Sequence, residues 1–87
     1  MKFTVVWKSR AENELAENWE KSPQRRDMTR AADRVEEILR TSPEDAGEEL
    51  PDLQGRVMFE GPIGVFFRVS AEDRLVEVVS VWSIAKP

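Results

Sequence analysis

Four of the charged side chains in the second half of the chain are the first candidates for chemistry. Arg68 lies inside the apolar run Ile63–Ser70, Arg56 precedes that run, and Glu77 and Lys86 follow it. Arginine and lysine side chains bind phosphate groups and stabilise the charge that develops on them during transfer. Arg56, Arg68 and Lys86 are therefore candidate phosphate contacts. Glu77 is the acidic residue whose negative charge would offset the positive charge of a neighbouring arginine.

The composition removes several other kinds of catalysis. The chain of 87 residues has no cysteine, no histidine and no tyrosine. This excludes disulfides, thiol nucleophiles, zinc fingers and Ser-His or Cys-His catalysis. We expect no metal and no cofactor. The net charge of −4 argues against non-specific binding to nucleic acid, because that affinity comes mainly from basic residues.

Length and hydropathy set the scale of the protein. Residues 1–87 are enough for one small domain and too few for two. The apolar run near the start is too short for a signal peptide, and no segment approaches the roughly 20 apolar residues of a membrane-spanning helix. We therefore expect a soluble, cytoplasmic protein without a membrane partner.

The first half of the chain predicts one strand and two helices. Phe3–Trp7 alternates as a strand, and Ser9 with Glu12 has the spacing of a capping box at a helix start. A second helix is predicted from Ser22-Pro23 to about Arg40, with a long apolar face at helical spacing. The helices should form an antiparallel hairpin that covers a sheet. The acidic segment that follows, residues 44–53, is interpreted as a connector.

The second half of the chain predicts an antiparallel meander. Its strands are Val57–Glu60, Ile63–Ser70 and Leu75–Trp82, joined by short turns. The predicted order is β-α-α-β-β-β. The fold class is therefore α+β, with a small antiparallel-type twisted sheet packed on a helical hairpin.

The last hairpin divides its residues between two faces of the sheet. A turn at Glu72-Asp73 places Arg68 opposite Glu77, and we favour an ion pair between them over a phosphate contact of Arg68. The residues predicted on the face away from the helices are Gly64, Phe66, Arg68, Glu77, Val79 and Val81. Phe66, Val79 and Val81 form an apolar patch there. We expect this patch to be buried in an interface, either with a segment of a partner or with a second copy of the chain. Trp82 is an interface anchor or a cap on the core beside Trp7 or Trp19.

The element order and the string from Val65 to Trp82, VFFRVSAEDRLVEVVSVW, resemble the RelE/ParE superfamily of toxins from bacterial type II toxin–antitoxin modules. The resemblance covers nearly the whole chain. It implies a cognate antitoxin that wraps the toxin and an activity on the open side of the sheet. RelE-like members cleave messenger RNA on the ribosome, whereas ParE-like members inhibit DNA gyrase.

The residues that the resemblance would make catalytic do not match. Ile63-Gly64 stands where ribonuclease members have Tyr-Arg, and Arg68 matches a later basic position. Ser83-Ile84 stands where a basic residue or His followed by Arg is usual. Cleavage by a ribose 2′-hydroxyl needs a proton acceptor, a proton donor and cations near the phosphate. The ribonuclease machinery is therefore incomplete by this comparison, and no catalytic residue is assigned.

Three hypotheses remain open at this point. The chain is a toxin held by an antitoxin, a non-catalytic inhibitor of the gyrase type, or a degenerate toxin kept as a protein-binding or regulatory module. A homodimer is a further possible assembly. The residues expected to face a target or an antitoxin are Arg56, Phe66, Arg68, Glu77, Val79, Trp82 and Lys86.

Overall fold

The computed structural model describes residues 2–84 and shows an open sheet with two helices. In chain order the elements are β1 (Thr4–Trp7), α1 (Ser9–Lys21), α2 (Arg25–Thr41), β2 (Glu48–Leu50), a 3-10 turn (Pro51–Leu53), β3 (Gly55–Glu60), β4 (Ile63–Ser70) and β5 (Leu75–Ser83). The strand order across the five-stranded sheet is β1-β5-β4-β3-β2. β1 runs parallel to β5, and the other neighbours are antiparallel. The predicted α+β class is confirmed.

The start of α1 differs from the prediction. Lys8 occupies the N-cap position and no side chain caps the helix, so the predicted capping box of Ser9 and Glu12 is wrong. The Lys8 N–H donates to the Val78 carbonyl at 2.9 Å. This bond holds residue 8 in extended backbone beside β5, so residue 9 is already the first residue of the helix.

The start of α2 also lies later than predicted. The helix begins at Arg25 with Gln24 as its N-cap, and the predicted start at Ser22-Pro23 is wrong. The Gln24 N–H donates to Ser22 Oγ at 2.9 Å. Ser22 therefore closes the turn between the helices instead of capping the second one.

The core lies between α2 and one face of the sheet. Four residues of α2 are completely buried at helical spacing, namely Met28, Ala31, Val35 and Leu39. The strands contribute Met58, Ile63, Val65, Phe67, Val76, Val78 and Val81. α1 adds Ala11 and the half-buried Leu15. Each fully buried large side chain contributes about 1.5–3 kcal/mol relative to exposure, so this layer determines which face of the sheet the helices cover.

The hairpin of β4 and β5 has the predicted register near its turn. The confirmed pairs are Val69 with Val76, Arg68 with Glu77, and Phe67 with Val78. Since paired residues of antiparallel strands share a face, the valines and Phe67 point to the helices and Arg68 and Glu77 point away.

A β-bulge breaks this register in the second part of β5. Phe66 pairs with Ser80, so Val79 is an extra residue without a partner on β4. One extra residue exchanges the two faces of the strand beyond it. Val81 therefore pairs with Val65 and is 1% exposed in the core, and the prediction of Val81 on the outer face is wrong.

The acidic segment is partly ordered as a strand. Glu48–Leu50 pairs with β3 at the edge of the sheet, so its interpretation as a simple connector is wrong. Gly47 has a φ of +63°, and a Cβ there would lie 2.0 Å from the Val57 carbonyl oxygen. Only glycine fits this approach, which brings β2 close enough to pair. Within residues 2–84, no helix is both long and apolar enough to cross a membrane.

Candidate functional site

The candidate site is the face of the sheet that points away from the helices, called the open face below. Pairing places its residues in rows across β3, β4 and β5. The first row contains Phe59, Gly64 and Trp82; the second contains Val57, Phe66 and Ser80; the third contains Arg68 and Glu77. Apart from Ser80, the first two rows are apolar, and three of their six residues are aromatic. Charge enters the face only in the third of these rows.

Trp82 lies directly over Gly64. A Cβ on Gly64 would be 2.5 Å from the Trp82 indole Cε2, a distance that real side chains do not reach. Phe59 meets the same indole edge to face, with ring centroids 6.2 Å apart. The interpretation of Trp82 as a core cap beside Trp7 or Trp19 is wrong, because Trp82 stands on the open face. The position where the resemblance expects an arginine is thus covered by an indole.

Phe66 repeats this arrangement one strand further along. A Cβ on Gly55 would be 2.4 Å from the Phe66 ring, so the ring lies over the backbone of β3. Together, Phe59, Phe66 and Trp82 are called the aromatic patch. Phe59 is 61% exposed, and Phe66 and Trp82 are half-buried. Aromatic rings that cover glycines on a sheet lose little freedom on binding, because the backbone already restricts them.

Arg68 does not form the predicted ion pair with Glu77. Its guanidinium lies 5.4 Å from the centroid of the Phe66 ring, and Nη2 donates to the Leu53 carbonyl at 3.3 Å. Glu77 Oε2 instead lies 3.3 Å from Lys8 Nζ. The register was predicted correctly, but Lys8, which directly follows β1, pairs with the carboxylate in place of Arg68. The guanidinium is left to stack on an aromatic ring, which favours arginine.

Arg56 lies away from the other candidate residues. It pairs with the buried Phe67 and so belongs to the helix-facing side of the sheet. Its Nε donates to the Ala46 carbonyl at 2.8 Å, and Nη2 donates to the Gly47 carbonyl at 3.3 Å. Arg56 therefore holds the segment before β2 in place. Lys86, the remaining basic candidate, lies outside the described residues.

Glu14 of α1 supports the bulge that places Trp82. Its Oε1 accepts hydrogen bonds from the Ser80 hydroxyl at 3.0 Å and from the Val81 N–H at 3.1 Å. β1 pairs with β5 only as far as Val78, so the Val81 N–H has no partner on β1. The Glu14 carboxylate of α1 accepts the hydrogen bond that a carbonyl group of a neighbouring strand would otherwise accept. Val79, the bulged residue, is half-buried.

Sequence reasoning missed Phe59, Gly55 and Glu14. The available signal for the first two was an aromatic residue paired with a glycine, since Phe59 pairs with Gly64 and Phe66 lies next to Gly55. Such pairs cover the bare backbone of a glycine in a sheet. Glu14 had no signal, because the bulge that it supports is not encoded in a local pattern.

The charged groups of the third row make their contacts within the protein. Arg68 is held against Phe66 and Leu53, and the charge of Glu77 is offset by Lys8. Among residues 2–84, no group of three acidic side chains is placed to hold a metal ion. The open face is an apolar surface with a cation, Arg68, at its border. This arrangement suits the binding of an apolar surface of another molecule.

No protein-family model and no curated protein sequence matches the chain. Solved structures do match it. A chain of the toxin–antitoxin complex RelBE2 from Mycobacterium tuberculosis has a TM-score of 0.80 at 20% identity, over 99% of this chain and 95% of that chain.

Two further structures support the same fold. A chain of the chromosomal ParDE system from P. aeruginosa has a TM-score of 0.71 at 15% identity, over 97% of this chain and 98% of that one. The isolated RelE toxin from E. coli has a TM-score of 0.64 at 16% identity, over 98% and 87%. The protein is thus an α+β protein with an open mixed sheet. Its fold is that of the RelE/ParE toxins, as predicted.

Proposed function

We propose that the chain is the toxin component, or a toxin-derived homologue, of a bacterial type II toxin–antitoxin module, and that its open face binds protein instead of cleaving RNA. One observation carries the second part of the proposal. The aromatic patch occupies the place where a cleaving arginine is expected, with Trp82 lying over Gly64. The similarity to structures of toxin–antitoxin systems supports the first part.

Electrostatics favours a protein partner over RNA. A phosphate that approached the third row would meet Arg68 beside the carboxylate of Glu77, which already has Lys8 as its partner. Charge stabilisation in phosphoryl transfer depends on several preorganised cations. The described part of this face offers the exposed guanidinium of Arg68, which is stacked on Phe66, and the ammonium of Lys8, which is paired with Glu77. Its affinity for a polyanion should therefore be low.

The aromatic patch fits the centre of a protein interface. Exposed aromatic side chains next to an arginine are typical of residues that carry most of the binding free energy at such interfaces. Phe59 alone exposes 61% of its surface. The partner is expected to be a cognate antitoxin whose apolar side chains cover Phe59 and Trp82. We expect the complex to form in the cytoplasm.

The partner experiment co-expresses the chain with each of the two open reading frames that adjoin its gene. We expect the chain to co-purify with one of their products, and Phe59→Asp to abolish the complex while Phe59→Leu preserves it. Both substitutions are at an exposed position, so both variants should remain folded. If neither neighbouring product binds, or if Phe59→Asp binds as tightly as the unmodified chain, the proposal is wrong.

The activity experiment expresses the chain alone in bacteria and measures growth, messenger RNA integrity and DNA supercoiling. Growth arrest with intact messenger RNA and altered supercoiling would support the gyrase-type function that the ParE resemblance implies. Normal growth with tight antitoxin binding would support a degenerate toxin kept as a binding module. Cleavage of messenger RNA on the ribosome would contradict the proposed loss of ribonuclease chemistry.

A further inference from the structure

The indole N–H of Trp82 distinguishes this tryptophan from the other two. The Nε1–H groups of Trp7 and Trp19 donate to Glu36 at 3.1 Å and to Thr29 at 3.2 Å. No acceptor among residues 2–84 bonds to Trp82 Nε1, and that part of the chain contains no buried side-chain nitrogen without a partner. Trp82 therefore presents a hydrogen-bond donor at the surface of the open face.

Phe59 and Trp82 form a corner on this face. Their rings are inclined at 80° with centroids 6.2 Å apart, and Phe59 is 61% exposed. Gly64 lies directly beneath the indole, so the ring cannot sink further toward the sheet. Two apolar walls that meet near a right angle fit a compact and rigid apolar group. A proline ring is such a group, and proline-rich segments dock on surfaces lined by aromatic side chains.

The backbone beneath the aromatic patch offers no hydrogen bonds to a ligand. The paired N–H and C=O groups of β3, β4 and β5 point sideways to the neighbouring strands. An extended strand laid on this face would therefore leave its own N–H groups without protein acceptors. A helix uses its carbonyl groups internally. Its backbone would cover Trp82 without accepting from the indole N–H, which is unfavourable.

A polyproline II segment avoids both problems. This conformation has no internal hydrogen bonds, so its carbonyl groups are free to accept from Trp82 Nε1. Each proline lacks an N–H and so leaves no backbone donor without an acceptor. The open face therefore favours a proline-containing segment in this conformation over a strand or a helix.

Arg68 adds a charge requirement at one end of the patch. Its guanidinium is stacked on Phe66, and Nη2 donates to the Leu53 carbonyl. A guanidinium carries five N–H donors, so further donors remain for a ligand. Glu77, opposite Arg68 on β5, is paired with Lys8. A carboxylate of the ligand is thus the matching counter-ion, and the stacked guanidinium is already oriented for it.

Glu48 also contributes charge to the open face. It pairs with Val57, so it shares the row of Phe66 at the outer edge of the sheet. With about 4.8 Å between neighbouring strands, Glu48 of β2 lies about 10 Å to the side of β4. A ligand that runs along β4 meets Arg68 directly and passes Glu48 at a distance. An acidic residue of the ligand is therefore favoured in the row of Arg68 and disfavoured toward β2.

The spacing of residues on β4 sets the spacing of groups in the ligand. Trp82 lies over Gly64, and Arg68 is four residues further along the same strand. These four residues span about 13 Å at 3.3 Å per residue. Four residues of polyproline II span about 12 Å at 3.1 Å per residue. A proline over Trp82 and an acidic residue four positions away therefore reach both sites, and the Phe66 ring lies between them.

We propose that the open face binds a polyproline II segment of the protein partner. A proline fills the corner between Phe59 and Trp82, a carbonyl group accepts from Trp82 Nε1, and an acidic residue four positions away pairs with Arg68. Trp82 and Arg68 determine the specificity. Because this segment is the part of the antitoxin that covers the aromatic patch, the proposal rests on the proposed function.

The test uses the full chain and labelled synthetic peptides of about nine residues, which span about 28 Å as polyproline II. The first peptide has a glutamate at each end and prolines between them, so that either chain direction brings a carboxylate to Arg68. One twin has alanine in place of every proline, and the other has lysine in place of both glutamates. Measured by fluorescence anisotropy, the first peptide should bind at least about tenfold more tightly than either twin.

Matched variants locate the two contacts. Trp82→Phe keeps an aromatic ring but removes the N–H, and should weaken binding several-fold, whereas Trp19→Phe makes the same change on α1 and should leave the affinity unchanged. Arg68→Gln should abolish the preference for glutamate over lysine in the peptide. Arg26→Gln, at an exposed position of α2, should preserve that preference. Circular dichroism checks that each variant is folded.

The unmodified chain provides a second measurement that needs no variant to fold. In NMR spectra the Trp82 Nε1–H resonance should shift when the proline peptide is added, and those of Trp7 and Trp19 should not. A stationary Trp82 resonance, equal binding of the proline peptide and its alanine twin, or no binding of the proline peptide would overturn the proposal.

These outcomes are separate from those of the partner experiment. If a neighbouring gene product co-purifies with the chain but the proline peptide does not bind, the antitoxin function stands and the polyproline II segment is wrong. If the peptide binds as expected but neither neighbouring product does, the antitoxin function is wrong, and the open face is still a site for proline-containing segments.

Discussion

The open face and the groove between α1 and α2, called the helix groove below, are both uncovered apolar surfaces, but different parts of the fold build them. On the open face, aromatic rings lie against glycine backbone, and the nearby charges are of both signs. In the groove, apolar side chains lie between two helices, and the ionisable lining residues are all acidic. The shape of the first surface is set by close contacts with the backbone, whereas the second surface carries negative charge along both of its walls.

This difference follows from how each surface is supported. Trp82 and Phe66 are held by close contact with the backbone of β4 and β3. The groove depends on two side-chain hydrogen bonds that join separate elements. A change at a glycine should therefore damage the open face and leave the groove intact. The predictions below test this separation, beginning with the largest expected effect.

Replacing Gly64 by arginine, the residue that the resemblance expects there, should not restore a toxin site. The new side chain would collide with the Trp82 indole, since even a Cβ lies 2.5 Å from it. We expect a loss of about 2–3 kcal/mol in the free energy of unfolding, the cost of overpacking. Urea denaturation measures this loss.

The double variant Gly64→Arg with Trp82→Ala serves as the control for that substitution. Removing the indole makes room, so the cost of Gly64→Arg in the Trp82→Ala background should fall below about 1 kcal/mol if the two residues are coupled. An equal cost in both backgrounds would contradict the contact between Trp82 and Gly64.

Replacing Glu14 by alanine should weaken the bulge of β5. The Val81 N–H and the Ser80 hydroxyl would lose their acceptor. We expect a destabilisation of about 1–3 kcal/mol, the cost of leaving a partly buried polar group unpaired. Hydrogen exchange of the Val81 amide should become faster. Glu17→Ala, at an exposed position of the same helix, should change stability by less than about 0.5 kcal/mol.

The ion pair between Lys8 and Glu77 should have the smallest effect. Both side chains are substantially exposed and lie 3.3 Å apart. Lys8→Ala should therefore lower the free energy of unfolding by less than about 1 kcal/mol. The urea midpoint of the variant measures this. A larger loss would mean that Lys8 also holds the junction of β1 and α1.

Much of the fold could be predicted because local patterns and the core agree. The apolar face of α2 at Met28, Ala31 and Val35 has helical spacing, and all three are buried. The pairing of Phe67 with Val78 followed from a short turn between two β-branched strands. Less of the site could be predicted. Arg68 was placed opposite Glu77 correctly, but its contacts depend on Phe66 and Leu53 from other parts of the chain.

The sequence by itself determined the order of the main elements, the face that α2 buries and the absence of histidine, cysteine and tyrosine chemistry. Only the tertiary structure decided what lies on the open face. The residues after the bulge at Val79 bond to a carboxylate from α1, and the bulge turns Val81 into the core. The partner of Glu77 depends on β1, which is distant in sequence. A local pattern specifies periodicity, whereas the choice among several charged and aromatic neighbours is made only when distant segments meet.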